Sequence, residues 1–227
     1  MVSREEINKG WNNHWENNHS PWDMAGGNPY LNQHFQTMVG NNADGKRIMV
    51  PLCGATVDMA WFYKQGLTVV GVEFSEIACK HFFERLSLDY SIEKHDNYTV
   101  YTHDERLKIY QCDFFNTTAA MLGGCFDFCF DVGGLVAMIP EEHQKYINHL
   151  DSLFSASIVV LLECFEYDAS VHSGPPHSIP TATLEKLLDG KFKKEELSRI
   201  KQGDLPPEYT ARTGFDNTRV LYLVKRV

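Results

Sequence analysis

Two stretches of the chain carry side chains placed as chemistry would need them. The apolar run Arg47-Ile48-Met49-Val50-Pro51-Leu52 leads into the turn Cys53-Gly54-Ala55-Thr56, and Glu73 stands nineteen positions after Gly54, at the end of a second apolar run that begins at Thr68. In an α/β protein, a carboxylate at that strand end can accept hydrogen bonds from both ribose hydroxyls of an adenosine-bearing cofactor. A dinucleotide uses the same acid. It also needs G-x-G-x-x-G so that the backbone can approach the pyrophosphate, and here Gly54 is followed by Ala55-Thr56. A cofactor without phosphates needs no such cradle, which turns the reading from NAD toward S-adenosylmethionine.

The rest of the inventory mostly excludes. The six cysteines are Cys53, Cys79, Cys112, Cys125, Cys129 and Cys164, and none pairs as C-x-x-C, so neither a zinc site nor a redox motif is signalled and no metal is expected. Cys125, Cys129 and Cys164 lie in apolar runs and are expected as buried free thiols. The 30 acidic and 21 basic residues give a net charge of −9, which disfavours nucleic-acid binding. The densest basic run, Lys191, Lys193, Lys194, Arg199 and Lys201, is broken by Glu195 and Glu196 and suits a solvated element. No stretch of eighteen apolar residues suggests a membrane span, and the polar start has no apolar core of the signal-peptide kind. A cytoplasmic monomer acting on a small molecule is the expectation.

The elements that must hold these residues follow from periodicity. A length of 227 residues suits a single domain, 1–227. Ser3 to His19 reads as an amphipathic helix with Trp11 and Trp15 on one face, and Tyr30 to Met38 as a second helix. Helices are expected over Val57–Gln65, from Ser75 as N-cap, over Pro140–Phe154 and over Thr181–Leu188. Strands are expected over 47–52, 68–73, 107–111 after a hairpin from Tyr98, 126–130, 158–165, 192–200 and 219–224. Strands alternating with helices argue for a doubly wound, mostly parallel sheet with helices on both faces, with ligands beyond the carboxyl ends of the strands.

A specific resemblance joins these pieces. Val50-Pro51-Leu52-Cys53-Gly54, Val57-Asp58-Met59-Ala60-Trp61 and Val69-Val70-Gly71-Val72-Glu73 with Ser75-Glu76 resemble the core of the thiopurine S-methyltransferase family. Trp11, Trp15, Asp131-x-Gly133-x-Leu135-Val136-Ala137 and Gly174-Pro175-Pro176 agree with it, so the likeness runs from about Trp11 to Leu223. Pro21-Trp22-Asp23 is closer to related enzymes that methylate halide, thiocyanate or bisulfide. The resemblance implies a Rossmann-like class I methyltransferase with a seven-stranded sheet and an N-terminal helical lid over residues 1–40. It implies S-adenosylmethionine as cofactor, S-adenosylhomocysteine as product, and a small thiol as acceptor.

The resemblance also implies roles. Trp11, Trp15 and Trp22 would cover the cofactor, as aromatic faces favour a sulfonium; tryptophans that staple a helix to the core are the alternative. Leu52 and Gly54 would meet the methionine end, Glu73 the ribose and Phe74 the adenine. Replacing Glu73 should then weaken cofactor binding with little loss of fold. Asp113 and Phe114 match the position holding the adenine edge, although Asp113 also suits a helix N-cap. Val132 stands near the methyl group where relatives carry arginine, and Tyr209 where they carry a second one, with Arg212 close by. Trp22, Pro175, Pro176, His177, Tyr209 and Arg212 would line the acceptor pocket, with Tyr167 and His172 as further candidates. His177 replaces a bulky residue there, and a free surface histidine is the commoner explanation of such a residue. Asp131 is the nearest candidate base, against a role in a turn. Methyl transfer from a sulfonium is an in-line displacement in which the protein mainly aligns the partners, and a readily ionised thiol needs no dedicated base. A halide, thiocyanate or sulfide methyltransferase is the rival enzyme, and a non-catalytic cofactor-binding homologue the rival of another class.

Overall fold

The computed structural model describes residues 4–17, 19–24, 26–40, 43–204 and 214–227. Two short helices, α1 (Arg4–Glu16) and α2 (Tyr30–Val39), precede the first strand. The backbone gathers into two compact units, one of residues 1–33 with 42–117, the other of residues 34–41 with 118–227.

In the first unit β1 (Arg47–Pro51), α3 (Asp58–Lys64), β2 (Thr68–Glu73) and α4 (Glu76–Arg85) follow one another, and then β3 (Ser91–Lys94), β4 (Thr99–Asp104) and β5 (Leu107–Gln111). Their order is β3-β4-β5-β2-β1. β1 and β5 flank β2 in parallel, whereas β4 pairs antiparallel with both β3 and β5. Because β2 is paired on both sides and covered, all of it after Thr68 is buried, so its sequence is continuous Val-Val-Gly-Val rather than alternating. Gly71 is needed there because a Cβ would come within 2.7 Å of both Cys53 Sγ and Met59 Sδ.

The second unit holds β6 (Phe126–Asp131), α5 (Gly134–Ala137), α6 (His143–Leu153), β7 (Phe154–Glu166), α7 (Thr181–Leu188), β8 (Phe192–Lys201) and β9 (Thr218–Arg226). Their order is β6-β7-β9-β8, with β6 and β7 parallel and the remaining pairs antiparallel. All of the basic run after Lys191 lies on β8, whose outer position leaves an edge that charged side chains keep from pairing with other chains.

The described residues thus contain nine strands, not the seven expected. β3 carries no apolar alternation because all four of its residues are exposed. β7 begins at Phe154, where the end of a helix was expected; Ser155, Ala156 and Ser157 interrupt the apolar signal while the backbone is already extended. Cys125 is also corrected: it precedes β6 and is exposed, while the other five cysteines are buried and all six are free. No described helix is long and apolar enough to cross a membrane.

Candidate functional site

The turn after β1 is built by two residues in the left-handed region, Leu52 (φ 46°) and Gly54 (φ 52°). Glycine adopts that region freely, but leucine pays steric strain, which persists only where the surroundings over-determine it. Here they do. Cys53 N–H donates to the Val72 carbonyl over 3.0 Å and Gly54 N–H to Glu73 Oε2 over 2.8 Å. The other carboxylate oxygen, Oε1, accepts from Ser75 N–H over 2.7 Å. Glu73 therefore ties the turn to the entry of α4. Burial pushes its carboxyl above the ordinary range, and the N–H groups of Ser75, Gly54 and Phe74 pull it partly back. Ser75 has the backbone of an N-cap, but its side chain makes no capping bond, and its Oγ is a buried hydroxyl without a partner among the described residues.

Tryptophans cover that turn. A Cβ on Gly54 would stand 3.0 Å from Trp15 Cζ2 and 3.9 Å from Trp22 Nε1. Trp22 meets Trp11 edge-on at 5.0 Å and Trp15 at 5.9 Å. Trp15 is buried, and its ring also lies 6.3 Å from that of His81 on α4. The segment is held in place by an ion pair between Asp23 and Arg85 at the end of α4, both largely buried. Asp58, near the start of α3, accepts from Asn28 N–H over 2.7 Å and anchors the loop that follows.

After β5, Asp113 accepts from Phe115 N–H over 2.9 Å and caps the short 3-10 helix Phe114–Asn116, as the alternative reading of that residue had it. Its second oxygen has no partner among the described residues, while Phe114 is buried and Phe74 half-buried. The first unit thus brings together Trp11, Trp15, Trp22, Leu52, Gly54 and Glu73, with Phe74 following Glu73 and Asp113 just beyond the end of β5. These residues suit S-adenosylmethionine. A buried carboxylate at the carboxyl end of β2 with an unpartnered hydroxyl beside it fits a ribose, and aromatic rings above a glycine fit a sulfonium.

In the second unit Asp131 ends β6 fully buried. Its Oδ1 accepts from Gly134 N–H at 2.9 Å and Leu135 N–H at 3.0 Å, and its Oδ2 from Tyr146 Oη at 3.1 Å. Burial lifts its pKa to about 6. That geometry is the turn role: Asp131 closes the entry to α5. Val132 follows, half-buried, and Gly133 has a φ of 125°.

The double proline, with both Gly174–Pro175 and Pro175–Pro176 in cis, sits beside an aromatic group. Tyr167 Oη donates to the Pro176 carbonyl, His172 stacks on Phe215 at 4.2 Å, and Tyr167 meets Phe215 edge-on at 4.8 Å. His177 is half-buried, with its N–H donating to the Val136 carbonyl over 2.7 Å. Tyr209 and Arg212 lie outside the described residues. The Asn28–Asp58 bond, the Asp23–Arg85 pair and the Asp131–Tyr146 bond escaped the sequence reading, as did the buried His143. Each of these bonds joins residues distant in the chain, and no local spacing announces it.

The thiopurine S-methyltransferase family model matches residues 7–226. A thiopurine S-methyltransferase of Pseudomonas paraeruginosa is 33% identical over 83% of this chain and 85% of its own. One from Mus spretus is 32% identical over 84% of this chain and 80% of its own, and one from Marinobacter nauticus 29% over 95% and 98%. Among solved structures, Burkholderia thailandensis 1,6-didemethyltoxoflavin-N1-methyltransferase with bound S-adenosylhomocysteine gives a TM-score of 0.64 at 15% identity, covering 100% of this chain and 91% of that one. Magnesium protoporphyrin IX methyltransferase of Synechocystis PCC 6803 with bound S-adenosylmethionine gives 0.59 at 16%, covering 98% and 99%. These two show the class I α/β fold; the family rests on the sequence matches. A match across nearly all of its length, on top of the turn and carboxylate described above, makes this chain an S-adenosylmethionine-dependent methyltransferase that belongs to the thiopurine S-methyltransferase family.

Proposed function

We propose that the chain transfers a methyl group to a small thiol, with neutral, apolar thiols ahead of anionic ones. The observation that carries this reading is the acceptor-side group of the second unit. Tyr167, His172, Phe215 and the two prolines form an aromatic and apolar wall, and Val132 adds a further apolar side chain after β6. Such a wall favours a soft, polarisable acceptor, and the relatives' name, thiopurine S-methyltransferase, points to sulfur.

When bound, the methyl donor supplies an already activated sulfonium. The protein's part is to hold and align. Glu73 would take the ribose hydroxyls, exchanging the turn's N–H groups or sharing its remaining lone pairs with them. Asp113 would take the adenine amine, and Trp11, Trp15 and Trp22 would close over the sulfonium end as a lid. The stated roles make one functional domain, acting as a monomer in the cytoplasm. A radiolabelled methyl-transfer screen over thiols, selenols, halides and bisulfide tests the reading. Turnover of aromatic and alkyl thiols is expected; turnover confined to halide, thiocyanate or bisulfide overturns it, and no transfer to any acceptor makes the chain a cofactor-binding homologue.

A further inference from the structure

The side chains of two histidines of the second unit, His143 and His177, take no part in the contacts described above. His143 is buried, its Nε2 2.9 Å from the Met138 carbonyl, so that nitrogen carries the hydrogen. The His177 ring meets it edge-on, centroids 6.4 Å apart. The ring edge of His177 that bears Nδ1 lies against Gly174, so closely that a Cβ there would run into Nδ1, Cγ and Cε1, and the Ser173 backbone hydrogen-bonds the imidazole. Backbone bonding to Val136 of α5 sets the residue at the carboxyl end of β6, and the bridge Phe165–Ser178 sets it at the same end of β7. That is the end of a parallel pair where α/β proteins bind ligands. With Nδ1 turned to the loop, Nε2 faces away from it and has no partner among the described residues.

We propose that Nε2 of His177 accepts the proton of an acceptor thiol that is still protonated at neutral pH, with His143 and Ser173 as its positioning residues. The inference rests on the thiol reading given under Proposed function. In the step, the S–H bond breaks, its proton passing to Nε2 and its electron pair staying on sulfur. That sulfur forms the new S–CH3 bond as the donor's S–CH3 bond breaks, and the pair of the broken bond remains on the homocysteine sulfur. The donor's positive charge is thereby neutralised, and the imidazolium returns its proton to water. Burial keeps His177 below the ordinary histidine value, helped by His172, while Ser173 and Glu141 oppose it. Burial likewise lowers His143, whose own neighbours are His177 and Glu141. The pair is therefore neutral where the enzyme would work, and a neutral imidazole can take a proton.

The test uses the full chain with S-adenosylmethionine and two acceptors: 4-nitrobenzenethiol, ionised at neutral pH, and butanethiol, protonated there. H177Q should lower kcat/KM for butanethiol roughly a hundredfold, the range of a lost general base, and change that for 4-nitrobenzenethiol by less than about threefold on the same principle. The butanethiol pH profile should change from an early plateau to a climb toward the thiol's own ionisation. Equal losses on both thiols, or no loss on either, overturn the proposal. Wild-type turnover of 4-nitrobenzenethiol decides the thiol reading separately: if wild type methylates neither thiol, that reading fails and the proposal with it. The rise in Tm with S-adenosylhomocysteine checks that each variant is folded, and H177N is the second variant if H177Q does not pass. An NMR titration of wild type gives a readout apart from activity: His177 should titrate below 6.5, and a protonated ring at neutral pH overturns the proposal.

Discussion

Gly54 N–H donates to Glu73 Oε2 over 2.8 Å, so the carboxylate that ends β2 also fixes the turn that ends β1. Sequence alone suggests that replacing Glu73 costs binding and little fold. The geometry gives it a task in the fold as well, beside the binding role proposed for it. Glu73→Ala should strand the buried N–H groups of Gly54 and Ser75 and lower stability by about 2 kcal/mol or more, besides abolishing the Tm rise with S-adenosylhomocysteine. Glu73→Gln retains one acceptor oxygen and should lose less stability while still losing most of that rise. Urea unfolding of both variants, with and without S-adenosylhomocysteine, measures the two effects. Equal unfolding midpoints for wild type and Glu73→Ala would assign the residue to binding alone.

Gly54→Ala meets two obstacles. Its φ of 52° is costly for alanine, and its Cβ would stand 3.0 Å from the Trp15 ring. The expected cost is about 1–2 kcal/mol from backbone strain alone, with cofactor affinity reduced in step. Trp15→Phe in the same background should recover part of the stability by relieving the contact. A double-mutant cycle showing strict additivity would place Trp15 away from this turn in solution.

Asp131 gives a pH prediction with a definite sign. Its carboxyl is lifted from 3.8 to about 6 in the fold, so between those values the native state holds a proton that the unfolded state has lost. Stability should fall as pH rises through that window, by about 2–3 kcal/mol for a shift of this size. Asp131→Asn keeps acceptors for Gly134 and Leu135 and removes the charge, so this fall should vanish. Unfolding free energies at pH 4.5 and 7 for both proteins test it; the same pH dependence in each would mean that another group is responsible.

The preference for neutral thiols proposed above can be tested at Val132. Val132→Arg places a cation beside the turn that Asp131 closes and should shift kcat/KM toward a carboxylated aromatic thiol over a neutral one, by roughly tenfold. Wild type that already prefers the carboxylated thiol would assign the anion-holding role to a different cation.

Much of this was legible because it is local. The β1 turn, β2 and Glu73 lie within 27 positions of one another, and their types and order suffice to suggest an adenosyl site. α7 was likewise placed from Thr181 to Leu188, because its apolar spacing and the preceding proline agree. What stayed hidden was set by distant partners. Burial on both oxygens commits Asp131 to Tyr146 and two N–H groups, and no spacing in the sequence separates such a turn from a base. β3 stayed hidden for the opposite reason: exposed on every residue, it has no buried face to leave a pattern. The edge-on meeting of His143 and His177 joins residues 34 positions apart, a distance over which periodicity says nothing.

Three of the four tryptophans, Trp11, Trp15 and Trp22, stand in one group by Gly54, leaving only Trp61 on α3 elsewhere. The ultraviolet emission of the whole protein is therefore weighted toward this one small region. Its colour and its quenching report the wetness of the rings above the β1 turn, so any ligand that covers them can be followed in real time, without a label and without turnover. Trp61→Phe would leave a chain whose only indole light comes from the N-terminal segment.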